Sequence, residues 1–174
     1  MEETTKIVSP QVKGLMISLL LIILGLAGYF SGLAFSGWFN WAVNGVMLLA
    51  IIFACIHFAN QKQGYVTFGN VFFHGFMTTV VITVIMLVYT LLAFTVLFPD
   101  MKEKIFDMQT KAMEDKGMDA DKIETSMAFV KKYFMAFLIF GVILGTLFWG
   151  CIAALLGGAF AKKKPVNPIS PGGM

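Results

Sequence analysis

No arginine occurs anywhere in this 174-residue chain, which removes the side chain best suited to bidentate recognition of phosphate. Charge of either sign is scarce, at 13% of residues, where an ordinary soluble domain carries about 25%, and a soluble globular fold is thereby excluded. Only two histidines and two cysteines are present, without a Cys-x-x-Cys-His or other metal-ligand spacing. No glycine-rich phosphate loop follows a strand, and neither a nucleophile elbow nor a zinc-protease motif appears. With no basic patch on a soluble face, nucleic acid is not an expected partner.

What is abundant is apolar surface: 58% of residues are hydrophobic, 18 of them phenylalanine, and the mean hydropathy is +0.81. The charges that do occur are bunched, with 15 of the 23 between Asp100 and Lys132. Uncharged runs of 48, 37 and 29 residues separate Lys13 from Lys62, Lys62 from Asp100 and Lys132 from Lys162. A helix rises about 1.5 Å per residue and must cross roughly 30 Å of hydrocarbon, so runs this long are membrane spans.

The reading is an all-α membrane protein of four transmembrane helices, with an extramembrane helical hairpin between the third and fourth. A polar segment covers 1–12, the four-helix membrane domain covers 13–161, and the tail at 162–174, rich in Pro and Gly, is expected to be disordered. The longest run divides at Ser31-Gly32-Leu33-Ala34-Phe35-Ser36-Gly37, giving spans at about 13–35 and 38–60 with Trp38 and Trp41 as interfacial anchors. The third span is expected at about 67–98, stopped by Pro99-Asp100, and the fourth at about 133–161. Ala34 and Ser36 are spaced like a signal-cleavage site, but the apolar region exceeds the roughly 7 to 15 residues of a signal core, so the first segment reads as a signal anchor. With these bounds, no Asp, Glu, Lys or Arg lies inside any span. That argues against a proton-coupled carrier, an ion pump or an intramembrane carboxylate enzyme.

Orientation rests on lysines. Six border the side that carries the termini (Lys6, Lys13, Lys62, Lys162, Lys163 and Lys164), whereas the 99–132 loop holds seven mixed with eight acids. The undiluted block at Lys162 to Lys164 favours cytoplasmic termini.

The hairpin at 99–132 is expected to be two amphipathic helices joined at Lys116-Gly117, where Gly can take a left-handed conformation. Met101, Ile105, Met108 and Ala112 recur on one face, with Asp100 to Lys104 and Asp107 to Lys111 as i,i+4 pairs. Ile123, Met127 and Val130 supply the opposing stripe, and Asp119 or Asp121 can cap the second helix. Thioethers bind Cu(I), but the hairpin has no His or Cys to complete a site. Met101, Ile105, Met108 and Met127 are therefore read as an adaptable packing surface, also suited to docking a partner.

Candidate polar residues within the spans are few. The short turn between the second and third helices draws Cys55, His57, Asn60, Asn70 and His74 into one expected cluster. Each histidine is expected to be hydrogen-bonded at headgroup level, with a haem or metal site using His57 and His74 as the sharper alternative. No cofactor is assigned. Small-residue faces at Gly28, Gly32 and Ser36, at Gly141 and Gly145, and at Gly150, Ala154 and Gly158 let helix backbones approach closely. Packing inside the bundle is their expected use, and dimerisation or docking to a larger membrane protein the alternative. Asn40 and Asn44 are expected to bond a neighbouring helix or water.

Gly64-Tyr65-Val66-Thr67-Phe68-Gly69-Asn70-Val71-Phe72-Phe73-His74-Gly75-Phe76 at the third helix, then Phe98-Pro99-Asp100 and an acidic, Met-containing hairpin, resembles the domain of unknown function 4199 family. These are small four-span membrane proteins found mainly in Bacteroidota, and the resemblance runs over about 10–161. It implies an inner-membrane location and no catalytic residue. It also implies a place beside polyprenyl-phosphate glycosyltransferase machinery, hence an accessory role in envelope assembly. The function expected is thus a non-enzymatic accessory or scaffold subunit among membrane lipids. The alternatives are a small carrier or channel for a neutral or lipid-like solute and the haem or metal protein.

Overall fold

The computed structural model describes residues 7–164, and these contain helices and no strand. Helix α1 spans Pro10–Phe30, α2 Gly37–Gln61, α3 Phe68–Leu92, α4 Met101–Glu114 and α5 Ala120–Phe160. Four helical stretches are long and apolar enough to cross a membrane: α1, α2, α5 and Phe68–Leu97, which is α3 with its π extension.

Local chemistry sets the boundaries. Ser9 caps α1, its hydroxyl accepting the Val12 N–H at 3.4 Å, and Pro10 takes the first helical position, where a missing N–H costs nothing. The first helix does not continue to residue 35 as the apolar run suggested. Ser31 donates its hydroxyl to Ala27 O at 2.7 Å, Gly32 turns left-handed (φ 73°), and Leu33–Phe35 form a separate 3-10 turn. Between α2 and α3, Gln63 (φ 53°) and Gly64 (φ 84°) make the reversal. The third span is not uniform to residue 98 either: Ala93–Leu97 are π-helical, with the Phe98 N–H donating to Ala93 O at 2.8 Å. Helix α5 runs 41 residues without a break, about 60 Å and roughly twice the hydrocarbon thickness.

Of the proposed end segments, residues 1–6 and 165–174 lie outside the described residues. Pro10 to Val12 form the first turn of α1 rather than a polar leader. Lys162 to Lys164 do not belong to a loose tail, since the Lys164 N–H donates to Gly64 O at 2.9 Å.

The described residues divide into two compact units, one formed by residues up to Ile85 together with those from Thr146, the other by Met86–Gly145. In the first unit, Ile51, Val71, Ile82 and Cys55 are fully buried. The hydroxyls of Thr78, Thr79 and Thr83 donate to His74 O, Gly75 O and Thr79 O at 2.9, 3.0 and 2.9 Å. Each thus satisfies itself within α3, as a buried hydroxyl in an apolar interior must.

In the second unit, Phe134 of α5 holds the centre, edge-on to Phe94 at 5.6 Å and to Phe106 of α4 at 5.1 Å. Phe106, next to the expected stripe, therefore faces α5. Met108 is 46% exposed, Met101 and Ile105 are half-buried, and Met127 is buried. Of the four residues expected on this surface, Met108 is thus the one left exposed. An open groove of about 660 Å³ is lined by Glu114, Met118, Ile123, Met127 and Lys131 among others. Asp100 pairs with Lys104 at 2.7 Å and Asp119 with Lys122 at 2.9 Å, whereas no ion pair joins Asp107 to Lys111.

Candidate functional site

Four chain segments meet at one end of the first unit. The start of α1 is tied to the end of α2 by Val8 N–H donating to Gln61 Oε1 at 3.3 Å, and the end of α5 is tied to the α2–α3 turn through Lys164 and Gly64.

Lys13 is the residue the sequence reading misplaced. Because α1 begins at Pro10, Lys13 lies a full turn inside an apolar helix, only 7% exposed. The claim that no charged side chain enters a span is thereby corrected. The Ser9-Pro10 cap signal could have revealed it, by starting the helix three residues earlier. Lys13 Nζ donates to Ala54 O of α2 at 3.0 Å and sits 5.8 Å from the centre of the Phe58 ring. A desolvated cation is tolerated only with such partners, so Lys13 ties α1 to α2 across apolar surroundings. Beside it runs a lateral, almost wholly apolar groove of about 350 Å³, lined by Met16, Ile17, Ala50, Phe53 and His57 among others.

The five residues expected to cluster have different immediate partners. Cys55 is buried, its thiol donating to Val71 O at 3.8 Å. His74 is buried and stacks on Phe58, with centroids 4.1 Å apart and planes 10° from parallel. Its Nε2 finds no hydrogen-bond partner among the described residues. His57 stacks instead on Phe53 of its own helix at 6.1 Å and faces the lateral groove. Asn60 lines a recess at the α2–α3 turn, and Asn70 is exposed on the first turn of α3. The two imidazoles thus engage different phenylalanines, and the thiol engages a carbonyl rather than an imidazole. Among the described residues no group of three or more His, Cys, Asp or Glu is arranged to hold a metal ion.

The recess is lined by Asn60, Gln63, Gly64, Lys162, Lys163 and Lys164, and measures about 540 Å³. Lys163 Nζ lies 5.3 Å from the Phe68 ring centre and Lys164 Nζ 5.3 Å from that of Tyr65.

The small-residue faces differ in use. A Cβ on Gly28 would overlap the Phe39 ring, one on Gly150 the Thr79 side chain, and one on Gly158 would come within 2.9 Å of Phe68. Ala154 is fully buried, against the position where Gly75 lacks a Cβ. Gly32 serves the turn rather than a helix face, and Ser36 precedes α2 without a side-chain cap bond. Gly141 and Gly145 meet nothing within 4 Å of a Cβ position among the described residues. Sequence reasoning passed over Gly75 and Gly157, both of which abut Cys55. Asn40 bonds Ala34 O and Ser36 O, each at 3.3 Å, and Asn44 bonds Asn40 O at 2.9 Å. Both asparagines turn to nearby backbone rather than to another long helix.

A family model described as "Protein of unknown function (DUF4199)" matches residues 13–163. No curated protein and no solved structure matches the chain.

Proposed function

The chain belongs to the DUF4199 family, whose function is unknown, and from that premise we propose that this multi-pass membrane protein is a non-enzymatic accessory subunit of a larger inner-membrane assembly. In this reading the termini are cytoplasmic and the segment at 99–132 is extramembrane, on the outer side. A transmembrane helix of the partner packs against α5 at Gly141 and Gly145.

One observation carries the reading. Gly28, Gly75, Gly150, Gly157 and Gly158 all have side chains pressed into the space a Cβ would need, yet Gly141 and Gly145 have none among the described residues and, unlike the similarly open Gly37 and Gly45 of α2, lie four residues apart on one helix face. In lipid, helices gain little from hydrophobic burial alone, and paired small residues are where a second backbone can come close. The exposed Phe137, Phe140 and Leu144 flank the two glycines with large apolar surface. A passage for solute through the first unit has less support, because Ile51, Val71, Ile82, Thr78 and Thr79 fill its interior.

The test is co-purification in mild detergent with a photo-crosslinking residue at Phe137, exposed beside the two glycines. The expected result is one reproducible heterologous membrane partner, lost in Gly141→Leu/Gly145→Leu while the variant keeps the parent's thermal midpoint. Crosslinks only between copies of this chain, or a partner retained by the double variant, would overturn the reading.

A further inference from the structure

We infer that the lysine-lined recess at the α2–α3 turn is a binding site for the headgroup of an anionic phospholipid.

Charge is the first reason. The described residues of the first unit contain five lysines, Lys13, Lys62, Lys162, Lys163 and Lys164, and not one Asp or Glu. Lys13 is occupied between α1 and α2. The other four are exposed around the α2–α3 turn and the end of α5, with no carboxylate among the described residues of their unit. The carbonyl ends of α2 and α5 converge here as well, and the N–H end of α3 partly offsets them. Four full cationic charges outweigh these fractional ones, so an anion is attracted.

Positioning is the second. The chain at Lys164 is pinned by its backbone bond to Gly64 O, and the ammonium groups of Lys163 and Lys164 rest over Phe68 and Tyr65. These side chains are held at the rim, which lowers the entropy lost when they engage a ligand. A Cβ on Gly64 would come within 3.3 Å of Lys164 Cγ, so glycine also leaves room for the lysine stem. The amide side chains of Asn60 and Gln63 add neutral donors inside the same recess, suited to phosphate-ester and glycerol oxygens.

The third reason separates a lipid from a free anion. Tyr65 and Phe68 are exposed where α3 begins, immediately beside the lysines. Aromatic side chains of this kind sit at the membrane–water interface, and they offer an apolar wall for acyl chains whose phosphate reaches the recess. Inorganic phosphate has the charge without the chains.

The experiment uses the full-length protein purified in neutral detergent, titrated separately with dioleoylphosphatidylglycerol, dioleoylphosphatidylcholine and inorganic phosphate. Thermal midpoint and lipid retained under native mass spectrometry are the readouts. Phosphatidylglycerol is expected to raise the midpoint and remain bound, and the other two probes to do neither. In Lys162→Gln/Lys163→Gln/Lys164→Gln the apparent affinity for phosphatidylglycerol should fall roughly 100-fold. The charge-matched Lys111→Gln/Lys116→Gln/Lys122→Gln should bind as the parent does. If the first triple variant does not purify, Lys163→Gln alone should weaken binding about 5-fold. Equal loss in the two triple variants, no loss in the first, or an equal shift with inorganic phosphate would each overturn the proposal.

Discussion

In the first unit, Gly14, Gly28, Gly75, Gly150, Gly157 and Gly158 each have a neighbour in the space a Cβ would fill, although Gly32, Gly37 and Gly45 do not, whereas in the second Gly117, Gly141 and Gly145 all have none among the described residues. The charges divide the same way. The second unit carries 15 charged residues of both signs, the first five lysines and no described carboxylate. Helices surrounded by lipid gain association energy mainly from close backbone approach, so they need glycine at their crossings. The stretch bearing interspersed Lys, Asp and Glu, 100–132, is compatible with water and holds its partner through aromatic contacts such as Phe106 on Phe134, and Gly141 and Gly145 lie beyond it on the uncharged part of α5.

The most severe way to test the contrast is one substitution made in both units. Gly75→Leu forces side-chain atoms into Cys55 and Ala154 and should cost more than about 4 kcal/mol, leaving little monodisperse protein on size exclusion. Gly141→Leu should be neutral or gain up to about 1 kcal/mol from helix propensity. If both variants behave alike, the packing distinction fails.

Lys13→Met probes the buried cation of α1. Loss of its bond to Ala54 O should lower stability by about 2 kcal/mol in thermal unfolding, while Lys116→Met, exposed in the second unit, changes it little. A smaller effect follows at His74. His74→Phe keeps the stack on Phe58 and removes the unpartnered Nε2, so stability should hold or rise by up to about 1 kcal/mol. His74→Ala should cost about 3 kcal/mol. Equal losses in the two would mean that Nε2 has a partner worth keeping. Weakest of all should be Asp119→Asn, whose pair with Lys122 has both side chains more than two-thirds exposed. A change under about 0.5 kcal/mol is expected, and a larger one by chemical denaturation would mark an unsuspected structural role.

Much of this architecture is legible in the sequence, for definite reasons. Long uncharged runs make helices long and apolar enough to cross a membrane, and Lys116-Gly117 stops a helix because Gly117 takes φ 71°. Helix rotation was not legible. Met108 and Phe106 are two residues apart and face different ways, and hydrophobicity alone does not say which side α5 occupies. Likewise, the glycine spacing is the same at Gly141 and Gly145 as at Gly28 and Gly32, and only the fold reveals which positions receive a side chain. The partners of the polar residues were not legible for a related reason: proximity along a turn places helix ends together without fixing that His57 stacks on Phe53 and His74 on Phe58.

The π turn at Ala93–Leu97 closes its ring between the Phe98 N–H and Ala93 O, five residues apart instead of four. One surplus residue in a helix advances everything after it by about 100° around the axis. It therefore acts as a phase shift in the chain, setting the compass direction in which Phe98 and Pro99 leave the helix and α4 begins. Deleting Thr95 would shorten the protein by a single residue, yet its main result would be angular, turning the exit of the chain away from the side on which Phe106 now meets Phe134.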